Sequence, residues 1–433
     1  MSSLESSVLP NASANSARLR TLQALGMFCG FAAGAWLGGA EAPIKLVNPA
    51  ISPITVSLVM VCGVFLARWS VPALVRGTSH IRADVGQAPH LVVWAILAGC
   101  MWAVANTLTI YAIRNVGLSI AFPLWNTNSL LGIFWGFLLF KELHAAGWKR
   151  WLGVIGGALC MFAGATLLAI ASSHGAAPGK ATLGIAAALG AGVLWGTMYI
   201  PYRKAYLTGM NPLSFITFFT VGELVTMLVL AVSYRGVVPL WRELSEARAV
   251  LFWLMLGGFV WVIGDLFQQY ATKYVGISRG IPLSNTNQLW GLLWGVLVFH
   301  ELRGGSQHTY GEVVGGSILM ALGAVAIALS SATQDEHSSW QDAARREGER
   351  YGVEDEYVRA GMEGRAYETA ASSRSALDWL LILGATALFV ALAIISKPPQ
   401  VEASFGWAAA LTILMFTLMA ACGVALWRTT RFR

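Results

Sequence analysis

Hydrophobic runs of about 20 residues, separated by shorter polar segments, extend over most of this chain. A helix needs about 20 predominantly apolar residues to cross the hydrocarbon core of a bilayer. The pattern predicts membrane spans at about 22–40, 52–72, 91–113, 117–140, 151–171, 183–202, 212–233, 251–272, 276–299, 311–331, 377–396 and 404–427. It therefore predicts an all-α polytopic membrane protein.

The second group of five runs repeats the first group. When the numbering is shifted by 159, Trp94–Leu143 lies over Trp253–Leu302 without a gap, and 22 of the 50 positions are identical. The identical positions include Trp102/Trp261, Pro123/Pro282, Asn126-Thr127-Asn128/Asn285-Thr286-Asn287 and Glu142-Leu143/Glu301-Leu302. At an offset of 158, Gly34 and Gly38 match Gly192 and Gly196. Because five is an odd number of spans, the second group enters the membrane upside down, which predicts an inverted five-plus-five repeat.

The composition supports this class of protein. Only 12% of the residues are charged, and a soluble domain carries about 25%. The net charge of +7 is therefore no sign of a nucleic-acid partner, since basic residues in a membrane protein concentrate in cytoplasmic loops. With the N-terminus inside, the segments expected in the cytoplasm carry the larger share of Lys and Arg, among them Arg68, Arg203 and Lys273. We expect a multi-pass protein of the cytoplasmic membrane with both termini in the cytoplasm.

The chain divides into five regions by composition. They are a cytoplasmic tail (1–20), the first repeat (21–173), the second repeat (182–331), a polar linker (332–375) and a C-terminal transmembrane hairpin with a basic tail (376–433). The linker contains ten acids and six Arg, so we expect a solvated cytoplasmic segment, with a short surface helix as the alternative. The hairpin has no counterpart in either repeat.

No enzyme signature is present. The sequence contains no phosphate-binding glycine loop, no serine-nucleophile motif and no zinc-binding His spacing, so neither catalysis, cofactor nor metal is predicted. All five Cys lie within apolar runs, which gives no indication of a disulfide framework.

Polar side chains within the spans are the candidates for a binding site. Asp265, Gln268 and Gln269 share one helical face with Trp261, and the first half has Trp102 and Asn106 at corresponding positions. An aromatic plane beside amide groups suits a sugar, whose C–H face packs on the ring while its hydroxyls bond to the amides. The alternative is that the amides only join neighbouring helices.

The full set of predicted substrate-binding residues draws on both repeats. It comprises Trp102, Asn106, Asn126, Asn128, Trp261, Gln268, Gln269, Asn285, Asn287 and Gln288.

Two acids and one Arg lie within the predicted spans. A carboxylate removed from water exchanges a proton more readily near neutral pH, so Asp265 and Glu223 are candidates for proton coupling. We favour Asp265, because it lies in the repeated block beside Trp261 while its repeat partner Asn106 is uncharged. Arg279 is the expected ion-pair partner of one of these acids and a candidate gating residue.

The repeated block also carries a specific resemblance. Gly258, Trp261, Gly264, Gln268, Ala271, Lys273, Gly276, Ser278, Arg279, Pro282, Leu283, Ser284, Gln288, Leu289 and Gly295–Glu301 resemble the glucose/ribose porter family of the drug/metabolite transporter superfamily. The glycine-rich first span of each half, ending in Pro43 and Pro201, is similar to that family too. The resemblance covers about residues 20–331. It implies ten spans, an inverted repeat and proton-coupled sugar uptake.

The leading hypothesis is a transporter that moves a monosaccharide together with a proton across the bilayer by alternating access. The first alternative is an exporter of drugs or metabolites on the same fold, because one fold serves many substrates. The second is a membrane sensor or scaffold with residues 332–375 as its output segment. The expected partners are the sugar, the proton and lipid, without nucleic acid, and a homodimer is compatible with the sequence.

Overall fold

The computed structural model describes residues 9–40, 42–45, 51–116, 121, 124–171, 181–300, 303, 306–365, 374–397 and 402–433. Within these ranges the secondary structure is helical. The helices, numbered in chain order, are α1 (Leu9–Gly39), α2 (Ala42–Lys45), α3 (Pro53–Val75), α4 (Ser79–Gln87), α5 (His90–Val116), α6 (Asn128–Phe140), α7 (Gly147–Ala171), α8 (Ala181–Leu207), α9 (Pro212–Arg235), α10 (Val237–Glu246), α11 (Leu251–Val275), α12 (Ile277–Ser284), α13 (Asn287–Leu293), α14 (Gln307–Leu329), α15 (Gln334–Tyr351), α16 (Asp355–Met362), α17 (Ala376–Ile395) and α18 (Phe405–Thr430). A π-helical turn at Trp294–Val298 continues α13.

Ten helices in the described part of the chain are long and apolar enough to cross a membrane. They are α1, α3, α5, α7, α8, α9, α11, α14, α17 and α18. Their outer surfaces are apolar, with Leu380 69% and Ile394 79% exposed, as expected for side chains that face lipid. The prediction of an all-α polytopic membrane protein is confirmed.

The fourth span of each repeat is interrupted, although the sequence suggested continuous helices at 117–140 and 276–299. α12 ends at Ser284 and α13 begins at Asn287, while α6 begins only at Asn128. The turn between α12 and α13 is closed by Thr286, whose hydroxyl donates to Leu283 O (2.9 Å). Short polar side chains that bond to nearby backbone carbonyls compete with helix continuation, which explains the break at the Asn-Thr-Asn sequences. Pro123 and Glu301 of the repeat signature lie outside the described residues.

The second helix of each repeat begins at the same local signal. Ser52 and Asn211 each precede a proline, and each side chain accepts a hydrogen bond from a backbone N–H of the first turn. Proline suits this position because its missing N–H would have no partner within the helix. The two caps are 159 residues apart, so the repeat extends to the helix starts.

Helix packing between the two halves occurs in matching pairs. α1 packs along α11 as α8 packs along α5, and α3 packs on α11 as α9 packs on α5. The fourth-span helices α13 and α6 lie against α1 and α8, and the fifth spans α7 and α14 pack on each other. Each half therefore contributes its first spans to the other half, and the two interlock.

Glycines allow these close crossings. A methyl group added at Gly99 or Gly222 would overlap a backbone carbonyl across the α5–α9 contact. The repeat partners Gly258 and Gly63 lie in the same situation across the α11–α3 contact. Small residues of this kind let membrane helices approach backbone to backbone.

Residues 334–362 form two packed helices instead of the solvated linker expected from their charge. α15 begins at a capping box, in which Thr333 and Glu336 bond to each other's backbone N–H groups. One face of α15 is buried against the bundle, with Trp340 only 2% exposed. We call this side of the molecule the linker end. The C-terminal hairpin packs from outside, α17 against α3 and α18 against α1.

Candidate functional site

Three charged side chains from three helices meet inside the bundle. Arg68 of α3 donates from Nη2 to Asp265 Oδ2 of α11 (2.7 Å) and from Nη1 to Glu223 Oε2 of α9 (3.2 Å). All three side chains are at most 1% exposed. Charges deep in a membrane protein are stable only when they are paired, so the three residues stabilise one another.

Asp265 is held more firmly than Glu223. Gln269 Nε2 donates to Asp265 Oδ2 (3.0 Å), and the Tyr206 hydroxyl donates in turn to Gln269 Oε1. Asp265 thus accepts two hydrogen bonds on Oδ2, and Arg68 contacts Glu223 at the longer distance. We call Arg68, Glu223, Asp265, Gln269 and Tyr206 the charge cluster.

The charge cluster has an excess of one negative charge when both acids are ionised. Arg68 stays protonated, since the guanidinium group does not titrate in proteins. Glu223 Oε1 and Asp265 Oδ1 are buried and have no hydrogen-bond partner within the described structure. One added proton makes the group neutral and converts one of these oxygens into an O–H, so the cluster is suited to exchange a single proton.

Aromatic rings close the charge cluster on one side. Trp102 and Trp261 come together across the repeat in an edge-to-face contact, with ring centroids 5.2 Å apart. The Arg68 guanidinium carbon lies 4.1 Å from the centre of the Phe219 ring and 5.3 Å from that of Trp261. The predicted indole pair therefore forms, and it contacts the cation as well as its own partner.

A second group of polar side chains lies where the two interrupted spans meet. Asn285 Nδ2 donates to Ser129 Oγ, and this hydroxyl donates to Asn128 Oδ1 (3.3 Å). We call this the amide cluster; its members are Asn126, Asn128, Ser129, Asn285, Asn287 and Gln288. It joins predicted residues of both halves.

The amide cluster has unused hydrogen-bonding capacity. Asn126 Nδ2, Asn287 Oδ1 and Gln288 Oε1 are buried without a partner in the part of the chain that the structure describes. A buried polar atom without a partner costs about 1–3 kcal/mol, so the two that line one cavity, on Asn126 and Gln288, favour a bound ligand or water.

Gln268 and Gln269 connect the two clusters along α11. Gln269 bonds to Asp265 as described, and Gln268 Nε2 donates to Ser284 Oγ (2.6 Å) at the end of α12. Ser284 directly precedes Asn285 of the amide cluster. Asn106 lies apart from this connection, because its amide donates to Ser57 Oγ (3.3 Å) on α3.

The Asn-Thr-Asn turns are held by the glycine-rich first helix of the opposite half. A methyl group at Gly34 would overlap the Thr286 hydroxyl, and one at Gly192 would come within 2.7 Å of the Thr127 hydroxyl. The glycines that match between the repeats thus lie where the interrupted spans pack against the first helix of the opposite half.

The cavity at the amide cluster is narrow. It lies between Asn126, Ser129, Asn285 and Gln288 and has a volume of about 10 Å³. That is room for about one water molecule, and a small-molecule site usually needs roughly 300 Å³ or more. The site is therefore closed in this conformation, and a ligand could enter only after the helices move.

A separate ionic network closes the linker end, and it contains Arg279. Arg279 Nη2 contacts Glu336 Oε2 of α15 (3.0 Å). The sequence predicts Asp265 or Glu223 as this partner, and the structure corrects that prediction. Glu336 also accepts from Leu143 N (2.8 Å). The sequence does not reveal this partner, because the buried acid Glu336 lies within the strongly charged segment 332–375, which is expected to be solvated.

The same end contains a second buried ion pair. Arg203 Nε lies 2.8 Å from Glu142 Oε1, and Trp340 packs on the Arg203 guanidinium at 4.4 Å. The Glu142 carboxylate also accepts from the backbone N–H groups of Ile277 and Ser278, at the start of α12. Helix α15 thus covers two buried arginines.

The charge pattern predicts Arg68, Arg203 and Lys273 in cytoplasmic segments, and the structure corrects this. Each is buried within a spanning helix, Arg68 and Arg203 at most 1% exposed and Lys273 7% exposed. For Arg68 the sequence does indicate burial within the span, because this residue precedes the end of α3 by two helical turns.

The chain matches a known protein family over more than half of its length. The family model described as "Sugar transport protein" matches residues 50–171 and 187–349. The chain belongs to this family. The match reaches into α15, beyond the limit at about residue 331 that the resemblance suggested.

Individual relatives are similar over shorter stretches. The chain is 41% identical over 76 residues to a Streptococcus pyogenes serotype M1 protein named "Putative sugar uptake protein", which is 17% of this chain and 26% of that relative. It is 21% identical over 218 residues to "Glucose uptake protein GlcU" of Staphylococcus xylosus, which is 49% of this chain and 70% of that protein. The chain thus spans about a quarter of the length of the first of these relatives. A solved structure described only as "Crystal structure of protein" aligns with a TM-score of 0.44 and 17% identity over 69% of this chain and 98% of that one.

Proposed function

We propose that this protein moves a monosaccharide together with one proton across the cytoplasmic membrane by alternating access. The amide cluster binds the sugar, the charge cluster binds the proton, and the linker end faces the cytoplasm. The observation that carries the proposal is the pairing of a neutral hydrogen-bonding site with a buried group that is one proton short of neutrality.

The amide cluster suits a neutral polyhydroxylated ligand. Its three unpartnered atoms are one N–H donor and two carbonyl acceptors, and sugar hydroxyls can both accept and donate. No charged side chain belongs to the cluster, which disfavours a charged substrate. Interrupted spans around it agree with the usual location of binding sites in transporters with inverted repeats.

The charge cluster suits coupling because one proton decides its net charge. We assign the proton to Glu223, since Asp265 makes the shorter contact with Arg68 and accepts a further hydrogen bond from Gln269, and this reverses the preference for Asp265 that the sequence suggested. Gln269 touches Asp265, and the adjacent Gln268 bonds to Ser284 beside the amide cluster. Sugar binding and proton binding can therefore influence each other through α11.

Alternating access is supported by the interlocked repeats and by the closed linker end. Opening toward the linker end requires Glu336 to separate from Arg279, or Glu142 from Arg203, because these pairs join helices from different halves and from the linker. The narrow cavity at the amide cluster corresponds to a closed intermediate of such a cycle.

A transport assay tests the proposal. The purified full-length chain in liposomes should take up radiolabelled D-glucose faster when the outside is more acidic, and L-glucose serves as the stereochemical control. Equal uptake of both enantiomers, or no uptake from a panel of monosaccharides, would overturn the assignment of substrate.

Export of a metabolite on the same fold is the second candidate function. It is favoured by the amides of Asn106 and Gln268, which bond to other helices and leave less capacity for a sugar. Counterflow separates the candidates: preloaded D-glucose should accelerate labelled glucose entry in a sugar transporter, and an exporter of other metabolites would show no such acceleration.

A further inference from the structure

A second cavity lies at the linker end, apart from both clusters. It has a volume of about 420 Å³ and is bounded by α4, the end of α11, α16 and the last residues of the chain. Its charged and titratable lining consists of Arg76, His80, Asp84, Lys273, Tyr357, Arg365 and Arg433. The volume is within the usual range of small-molecule sites, roughly 300–1,000 Å³.

The lining is strongly cationic. Four cations face one acid, an excess of three positive charges among the lining side chains. His80 adds no charge at neutral pH, because burial lowers its pKa to about 3. Arg365 is partly neutralised by Glu363, whose carboxylate lies 2.6 Å from its Nε.

The one acid in the cavity is occupied by its own partners. Asp84 accepts hydrogen bonds from the Ser214 hydroxyl (2.5 Å) and the Tyr357 hydroxyl (2.8 Å). Both carboxylate oxygens are thereby used, and burial raises the pKa of this group. Asp84 is therefore poorly placed to neutralise the neighbouring cations.

Lys273 is the lining residue that most favours a bound ligand. Its side chain is 7% exposed, lines the cavity, and its ammonium has no hydrogen-bond partner within the described residues. The centre of the Tyr274 ring is 5.9 Å from the ammonium. A buried ammonium without a partner is costly, and a bound anion would remove that cost.

We propose that this cavity binds a phosphorylated small molecule, whose phosphoryl group lies between Lys273 and Arg76. A phosphate monoester carries close to two negative charges at neutral pH, which matches the excess positive charge of the lining. The remaining volume accommodates a sugar-sized body beside the polar side chains of Gln87 and Asn211. The ligand contacts α16 and the last residues, so it stabilises the closed linker end.

Binding of glucose 6-phosphate to the purified full-length chain in detergent tests this site. We expect a saturable rise in unfolding temperature, competition by inorganic phosphate and no such rise with glucose at the same concentration. Lys273→Met should weaken binding at least tenfold and should fold, because it removes an unpaired buried charge. Lys149→Met, at an exposed lysine outside the cavity, is the matched control and should bind like the parent.

A lipid headgroup offers the same phosphoryl chemistry, so a second arm uses dioctanoyl phosphatidic acid. Binding of the lipid alone, lost in Lys273→Met and in Arg76→Gln, would assign the site to a membrane phosphate. Binding of neither probe, or binding that both substitutions leave unchanged, would overturn the proposal. Neither outcome depends on sugar transport.

Discussion

Replacing Glu223 by Gln should uncouple the proposed sugar transport from the proton without stopping it. The substitution keeps the size of the side chain and fixes it in the form that a protonated carboxyl has. Arg68 retains its 2.7 Å contact with Asp265, so the buried cation stays paired. The cluster is then neutral at every working pH, and sugar can cross without a proton.

The size of the effect follows from the charge count of the cluster. One missing proton implies one proton per sugar, so a pH difference of one unit supplies about 1.4 kcal/mol, a factor of ten in concentration. With the membrane potential held at zero, the parent should accumulate D-glucose about tenfold in liposomes that are one pH unit more alkaline inside. Glu223→Gln should reach equal concentrations on both sides and still exchange labelled glucose.

Asp265→Asn and a surface variant complete the experiment. Asp265→Asn removes the shorter contact of Arg68 and should lower the unfolding temperature more than Glu223→Gln does. Glu349→Gln, at an exposed acid on α15, should accumulate glucose like the parent. Tenfold accumulation by Glu223→Gln would refute the assignment, and its loss in Asp265→Asn alone would place the proton on Asp265.

Three further predictions concern the scaffold. Glu336→Gln leaves Arg279 without its carboxylate partner and should weaken the packing of α15 on the bundle by about 3–5 kcal/mol. Proteolysis should then cut α15 faster, and resistance equal to that of the parent would contradict this. The pKa of His337 is lowered to about 4 by burial and by nearby Arg203, so the unfolded state, with an ordinary value of about 6.5, binds more protons between these values. The free energy of unfolding should therefore fall by about 2 kcal/mol on going from pH 7.5 to pH 5, and His337→Phe should remove that part of the fall in a thermal melt. Gly222→Ala should destabilise by about 1–3 kcal/mol, whereas Gly156→Ala, with open space around the new methyl group, should melt like the parent.

Much of the fold could be predicted from hydrophobic runs and the offset of 159. These features are set by local composition, since each span must be apolar and long enough for the bilayer. The interruption of the fourth spans was less visible, because Asn285 and Thr286 lie within an apolar stretch that also suits a continuous helix. Matching glycines, such as Gly34 and Gly192, indicated that helices pack closely there. They did not indicate that each glycine contacts the Asn-Thr-Asn turn of the opposite half.

The candidate site was only partly accessible from the sequence. Asp265, Gln269 and Trp261 share a helical face, so their proximity follows from the helix period. Arg68 comes from another span, and its pairing depends on how helices cross, which local pattern does not encode. The partner of Arg279 was hidden for a different reason: a buried acid in a charged segment has the same composition as a solvated one.

Proton entry driven by sugar tests directly whether sugar and proton cross the membrane together. Liposomes that contain the full-length chain and a trapped pH-sensitive dye are held at equal pH on both sides, and D-glucose is added outside. We expect internal acidification with one proton for each glucose that enters, and no acidification with L-glucose. Glucose entry without any change in internal pH would contradict the role of the charge cluster.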